Sequence, residues 1–478
     1  MKTEVIHNNK MTLSLYNSLA GEKQRFKSIE KNKIKMYVCG MTVYDDCHIG
    51  HARTNVAFDV IVRYFRFVGY NVTFVRNITD VDDKIIKRAI ENNESTDALV
   101  NRNIKSMYSD FDALNILRPD FDPRATETID EMCQMIQTLI DKGYAYKASN
   151  GDVYYRVSKF DGYGKLSKQN IDALLSGARI EVNDVKENPL DFVLWKASKE
   201  NEPSWSSPWG DGRPGWHIEC SAMSKKLLGD NFDIHGGGSD LRFPHHENEI
   251  AQSESANNCS FANYWLHSGM VQVDAEKMSK SLGNFFTIKE VLNSYHPEVL
   301  RFFLISGQYR SEINYSEENL NHARSAINRF YSAFRGLNLS DVLPDDADGY
   351  KAAFTKAMDN DFNTPEAISV LFDVVKEVNR YKEAGNTDKA IEYANLLKQL
   401  ASVLGILFTE VESYFSYTPS RLEDKTLMSE KDIEEKIAAR LTAKKEKNWA
   451  LADQIRQELT ENGVILEDSA TGTQWRRG

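Results

Sequence analysis

Apolar residues recur at helical spacing between Thr54 and Val68, at Val56, Val60, Ile61, Tyr64, Phe65 and Val68, and Gly69 supplies a stop. Just upstream, Lys35-Met36-Tyr37-Val38-Cys39 is a short apolar run closed by Gly40, the pattern of a buried strand. Just downstream, Val72-Thr73-Phe74-Val75 predicts a second strand. Strand, helix, strand is the right-handed parallel crossover from which doubly wound sheets are built. Ligands of such sheets bind beyond the carboxyl ends of the strands, where the segment from Cys39 to His51 falls. Phe232-Asp233-Ile234-His235 and Val271-Gln272-Val273 predict further strands. Between about residues 125 and 210 the pattern breaks. A helical stretch near Glu131–Ile140 precedes a tract rich in Gly, Trp and Pro that includes Trp205, Trp209 and Trp216. It reads as an insertion that returns to the sheet just before Cys220.

After residue 290 the periodicity is helical throughout: Pro297–Ile305, Leu320–Leu337, Tyr350–Met358, Pro365–Ala384 and Asp388–Leu404. A linker with Pro419 follows. A small terminal unit then predicts helices at Glu430–Lys447 and Ala450–Asn462 and a strand at Val464-Ile465-Leu466. The expected fold class is α/β. A doubly wound, Rossmann-type domain occupies 1–124 and 211–290, with a connective insertion at 125–210. An all-helical domain at 291–415 and a small α+β domain at 416–478 complete the chain.

Composition changes this picture little. A length of 478 residues accommodates about three domains at roughly 150 residues each. The net charge of -11 argues against indiscriminate coating of nucleic acid, though local basic patches still bind phosphates. The five cysteines are an odd number in a long chain whose first ten residues lack an apolar secretory core. No run reaches about 18 consecutive apolar residues. A cytoplasmic protein with unpaired thiols and no membrane partner is expected. Residues 1–10 receive no role.

Two phosphate-binding signatures stand far apart. In Cys47-His48-Ile49-Gly50-His51, two imidazoles flank a glycine where the helix starting near Thr54 is about to open. A helix start offers free N–H groups and positive partial charge to an anion, and Gly50 lets a nucleotide approach the backbone. In Lys277-Met278-Ser279-Lys280-Ser281, two ammonium groups on a Ser/Gly-rich loop can close over phosphates and stabilise charge on departing pyrophosphate. Taken alone, the first motif reads equally well as a loop with two exposed or packed histidines, and the second as a solvated basic turn. Their order, with the second after a strand, makes His48, His51, Lys277 and Lys280 the candidate catalytic residues. His235-Gly236-Gly237-Gly238-Ser239-Asp240 predicts a turn against which a ligand can lie, with Gly237 at its centre and Asp240 as acceptor.

Metal chemistry is weaker in spacing. His245 and Glu249 stand one helical turn apart, while Cys39 and Cys220 are remote in sequence. Two thiolates, an imidazole and a carboxylate suit Zn²⁺, but spacing alone favours buried inert thiols. His246-Glu247 is no metalloprotease motif, because the second histidine would fall at Ile250. Cys47, Cys133 and Cys259 read as packing or surface thiols.

These motifs resemble, in order and over nearly the whole chain, the cysteinyl-tRNA synthetases of bacterial type, within the class I aminoacyl-tRNA synthetases. The resemblance rests on Met36–Asp45, His48–His51, Arg76–Lys84, Pro214–Ser221, His235–Asp240, Phe243–Glu249 and Lys277–Ser281. It implies that Cys39, Cys220, His245 and Glu249 hold one zinc, which receives the substrate thiolate. It implies that Gly40, Thr42, Thr79, Trp216 and Asp240 line the amino-acid and nucleotide pocket and that Lys280 contacts ATP. The implied substrates are L-cysteine, ATP with Mg²⁺, and tRNA(Cys), handled by a monomer. The helical domain would meet the tRNA's inner face and the last residues its anticodon. Two rivals follow from the same residues: a cysteine ligase acting on an amino sugar, and a non-catalytic tRNA- or zinc-binding paralogue.

Overall fold

The apolar run before Gly40 forms the strand Lys33–Val38, and its partner forms Asn71–Arg76. The two pair in parallel, from Lys33↔Asn71 to Val38↔Arg76. Lys33–Val38 also pairs in parallel with Phe232–Gly238, which pairs in parallel with Ala262–Ser268. The sheet thus has four parallel strands, with 33–38 and 232–238 at its centre. This computed structural model describes residues 13–169, 185–200, 202–273, 276–277, 285–419, 428–469 and 472–477.

The crossover helix spans Ile49–Phe67 and buries Val56, Val60, Ile61, Tyr64 and Phe65, as its spacing predicts. It begins at Ile49 rather than near Thr54. The reason is an imidazole cap: His48 Nδ1 accepts from the N–H groups of Gly50 (3.1 Å) and His51 (3.3 Å), and His51 Nδ1 accepts from His48 N–H at 3.3 Å. This is a capping box made by two histidines, which the usual Ser/Thr/Asp/Asn signals do not reveal. A second correction concerns Gly236–Gly238. They continue the strand instead of leaving it in a turn, pairing with Leu266, His267 and Ser268. A Cβ at Gly236 would overlap the Phe58 ring, so glycine there lets the crossover helix lie close against the sheet.

The interruption contains the helix Ile129–Asp141 and an antiparallel sheet of Ala145–Lys147, Val153–Tyr155, Phe192–Ala197 and Gly212–Pro214. Its last strand falls just after residue 210 and runs through Gly215 into the helix Trp216–Leu228. Further on come the helices Pro297–Ile305, Glu317–Phe334, Ala347–Asp359, Thr364–Glu383 and Thr387–Val403. Their apolar stripes share one continuous core with the outer face of the crossover helix. The terminal unit packs Glu430–Lys445 and Trp449–Glu461 on a hairpin, Val464–Ser469 with Gly472–Arg477. The sequence predicts only the first hairpin strand.

One buried cation joins the sheet domain to the helices. Arg301 is fully buried and pairs with Asp59 of the crossover helix. It also donates to the carbonyls of Leu404 (3.0 Å) and Leu114 (2.8 Å). Arg301→Leu leaves Asp59 with Arg63 at 2.8 Å but strands the buried carbonyls. A loss of about 1–3 kcal/mol is expected, read as an earlier urea unfolding transition. An unchanged transition would refute the bridging role.

Candidate active site and metal centre

The two central strands deliver Cys39 and the glycine strand to one end of the sheet. The helices 216–228 and His245–Asn257 pack against that end and present Cys220, His245 and Glu249. The donor atoms of Cys39, Cys220, His245 and Glu249 all lie within 4.8 Å of one another, and all four residues are buried. Cys39 Sγ stands 3.6 Å from Cys220 Sγ and 3.3 Å from Glu249 Oε1. His245 Nε2 lies 3.0 Å from Glu249 Oε1. Both cysteines are free thiols.

The electrostatics favour a cation at this point. Burial and the neighbouring Cys220 and Glu249 push the Cys39 thiol well up. Burial also opposes ionisation of Cys220, yet the Cys39 thiol and His245 draw it down to about 6. Glu249 stays ionised against its burial because His235 and His245 flank it. Against the same penalty, Glu249 and Cys220 raise His245 to about 10. The anions of Cys220 and Glu249 are thus held where water is excluded with His245 as the countercharge, a place that a bound metal can take. His246 Nε2 is buried without a hydrogen-bond partner among the described residues and sits 4.0 Å from Glu249 Oε1. It belongs to a second, overlapping donor group of Cys39, His235, His246 and Glu249. The residues therefore fit a metal ion, and the group containing both thiols is the softer of the two.

A shell of histidines missed by sequence reasoning surrounds these donors. His235 Nε2 contacts Glu249 Oε2 at 2.7 Å, fixing the carboxylate. His217 Nδ1 lies 2.9 Å from His245 Nδ1, and His246 Nδ1 lies 2.9 Å from His267 Nε2. Burial keeps His217 and His246 neutral by pushing them well down. One signal was available: His217 precedes Cys220 by three residues, so both face one side of a helix.

The pocket residues gather nearby. Gly40 N–H donates to Asn77 Oδ1 at 2.8 Å, and a Cβ at Gly40 would overlap the Asn77 carbonyl oxygen. Thr42 and Thr79 form a parallel bridge, and the Thr79 hydroxyl donates to Glu219 at 2.8 Å. Trp216 is 39% exposed, and its ring centroid lies 4.2 Å from that of His245. A Cβ at Gly237 would come within 2.9 Å of the His246 ring. Asp240 is exposed in the short turn Ser239–Arg242. A cavity of about 720 Å³ opens here, lined by Trp216, His217, Glu219 and Phe243 and, from the insertion, by Lys196 and Arg213.

The histidine motif sits at the N-terminus of the crossover helix, with the His48 and His51 rings stacked at 3.6 Å and Gly50 in the first turn. Because each Nδ1 accepts a backbone N–H, a neutral ring carries its hydrogen on Nε2 and offers a donor there. Lys277 ends the strand Glu276–Lys277, paired antiparallel with Gln272–Val273. Its side chain and Lys280 lie outside the described residues. The chain re-enters at Phe285, whose ring packs 5.0 Å from His48. Ile49 N–H then donates to Phe286 O (3.1 Å) and Ile288 N–H to Cys47 O (2.8 Å). The segment that follows the lysine motif is thereby tied beside the histidine motif.

A parallel sheet with a histidine-capped crossover helix and a helical extension is the architecture of the class I aminoacyl-tRNA synthetases. The family described as tRNA synthetases class I (C) catalytic domain matches residues 25–325. The DALR domain matches 353–409, and the cysteinyl-tRNA ligase anticodon binding domain matches 431–476. The chain is 66% identical over 464 residues to the cysteine--tRNA ligase of Francisella philomiragia, covering 97% of this chain and 99% of that one. It is 65% identical to that of Francisella tularensis subsp. novicida, with the same coverage. The chain belongs to the cysteine--tRNA ligase family. Among solved structures, methionyl-tRNA synthetase of Mycobacterium tuberculosis in complex with methionyl-adenylate shares the fold, with TM-score 0.55 and 16% identity over 78% of this chain and 89% of that one. The LeuRS–tRNA–LeuAMS complex of Agrobacterium radiobacter also gives 0.55, at 11% identity over 81% and 87%.

Proposed function

We propose that this chain ligates L-cysteine to tRNA(Cys) in two steps at the carboxyl end of its parallel sheet. The carboxylate of cysteine attacks the α-phosphorus of Mg-ATP, the α–β phosphoanhydride bond breaks, and pyrophosphate leaves. The 2′-hydroxyl of the tRNA's terminal adenosine then attacks the activated carbonyl, and AMP departs. His48 and His51 donate to phosphate oxygens from Nε2 at a helix N-terminus, Gly50 admits the nucleotide to the backbone, and Lys277 and Lys280 neutralise the leaving pyrophosphate. Gly40, Thr42, Thr79 and Trp216 line the amino-acid pocket, and Gly237 and Asp240 the nucleotide side.

Cys39, Cys220, His245 and Glu249 would hold one zinc ion. Zinc bound there supplies a soft cation that prefers thiolate to a neutral hydroxyl. The need is plain, because an apolar pocket separates near-isosteres by only about 1–3 kcal/mol. The single observation that carries this reading is the pair of unbonded thiols beside His245 and Glu249 at the nucleotide end of the sheet.

The reading divides the chain into a catalytic domain at 1–124 and 211–290, an insertion at 125–210, a tRNA-stem domain at 291–415 and an anticodon domain at 416–478. It is a cytoplasmic monomer, in keeping with its free thiols. No helix among the described residues is long and apolar enough to cross a membrane. Purified protein is expected to catalyse cysteine-dependent pyrophosphate exchange and to charge tRNA(Cys). Exchange without charging would favour the amino-sugar ligase, and absence of both would favour the non-catalytic paralogue.

A further inference from the structure

We infer that Glu219 and Thr79 together form the receptor for the α-ammonium group of the amino-acid substrate, an assignment that rests on the cysteine-activation reading above. Glu219 is 1% exposed and precedes the thiol of Cys220 by one residue on the helix 216–228. Its only hydrogen bond among the described residues comes from the Thr79 hydroxyl, at 2.8 Å on Oε2. No described Lys or Arg forms an ion pair with it. A buried carboxylate without a countercharge is costly, and this one lines the cavity beside Trp216 and His217.

The polarity of the hydrogen bonds states what the site accepts. Gly40 N–H donates to Asn77 Oδ1 at 2.8 Å, Asn77 Nδ2 donates to Thr79 Oγ1 at 3.4 Å, and Thr79 donates to Glu219. The hydroxyl hydrogen of Thr79 is thereby committed and one lone pair is taken. Burial and the neighbouring Cys220 push the Glu219 carboxyl well above the ordinary range, and the described site lacks a paired countercharge. Toward a cationic ligand Thr79 offers only its second lone pair and the ionised Glu219 only carboxylate oxygen, and the pair then accepts hydrogen bonds and gives none. An ammonium, with three donors and no acceptor, is its complement, whereas the substrate carboxylate would be repelled. The relay begins beside Cys39, at Gly40, and ends beside Cys220, at Glu219. Amine and thiol are thus read at adjoining points, and the carboxylate is turned toward the nucleotide.

The test compares cysteine with 3-mercaptopropionate, which keeps the thiol and the carboxylate and lacks the amine. In Glu219→Gln, KM for cysteine in pyrophosphate exchange is expected to rise about 10- to 100-fold, the range for losing a charged hydrogen bond. The inhibition constant of 3-mercaptopropionate and the metal content per chain should stay at the wild-type values. Thr79→Val should show the same pattern to a smaller extent, and it carries the test if Glu219→Gln does not fold. Equal weakening of both ligands would overturn the assignment in favour of a structural role, as would no change in either. Failure of the wild-type protein to activate cysteine would instead strike the functional reading on which the assignment stands.

Discussion

Cys220→Ser is expected to remove the bound metal and cysteine activation together. The substitution exchanges one atom in a side chain that is 2% exposed, so the packing of the 216–228 helix should survive. What changes is the donor. A serine hydroxyl does not ionise near neutral pH, whereas the Cys220 thiol is drawn down to about 6 by Cys39 and His245 despite its burial. The soft half of the ligand set is then reduced to Cys39 alone. Residues that merely support a ligand cost about 10- to 100-fold in metal affinity when replaced, and loss of a ligand should exceed that. Metal analysis of the purified variant, with pyrophosphate exchange on cysteine and serine, checks the outcome. A metal-free variant that still prefers cysteine would remove zinc from the account.

The second large effect is expected at Lys280. Its loop begins at a strand paired with Gln272–Val273 and ends tied to Cys47 and Ile49. The described chain resumes at Phe285, whose ring packs 5.0 Å from His48. Charge develops on pyrophosphate only as the phosphoanhydride bond breaks, so Lys280 should act mainly in the transition state. Lys280→Ala is expected to slow adenylate formation by about 10²- to 10³-fold, the range for removing one group that stabilises developing charge. KM for cysteine should move little. Stopped-flow or pyrophosphate-exchange kinetics separate the two, and equal losses in rate and cysteine binding would show that the contact is made in the ground state as well.

The sheet and the helical half were legible because their elements are long enough to display a period. Residues 54–68 present four turns of apolar spacing, and Pro297 marks a helix start that the structure reproduces at the same residue. The helix of the insertion was legible and its strands were not, since Ala145–Lys147, Val153–Tyr155 and Gly212–Pro214 are three residues each, too short for alternation to register. The entry to the crossover helix was misplaced because imidazole nitrogens, rather than hydroxyls or carboxylates, satisfy its first N–H groups. At the metal centre, His245 and Glu249 share a helix face and could be paired by spacing. Cys39 and Cys220 could be joined to them only by resemblance, because chain folding brings them together. The same holds for His235 and Glu219, whose partners Glu249 and Thr79 lie 14 and 140 residues away.

That long-range closure bears on biosynthesis. Cys39 precedes Cys220 by 181 positions and Glu249 by 210. At translation speeds of about 5–20 residues per second, the first thiol leaves the ribosome roughly 10–35 s before the second. A lone cysteine on a nascent chain cannot retain the ion against competing cellular thiols. On the proposed reading, metal loading would be a late event that follows assembly of the central sheet.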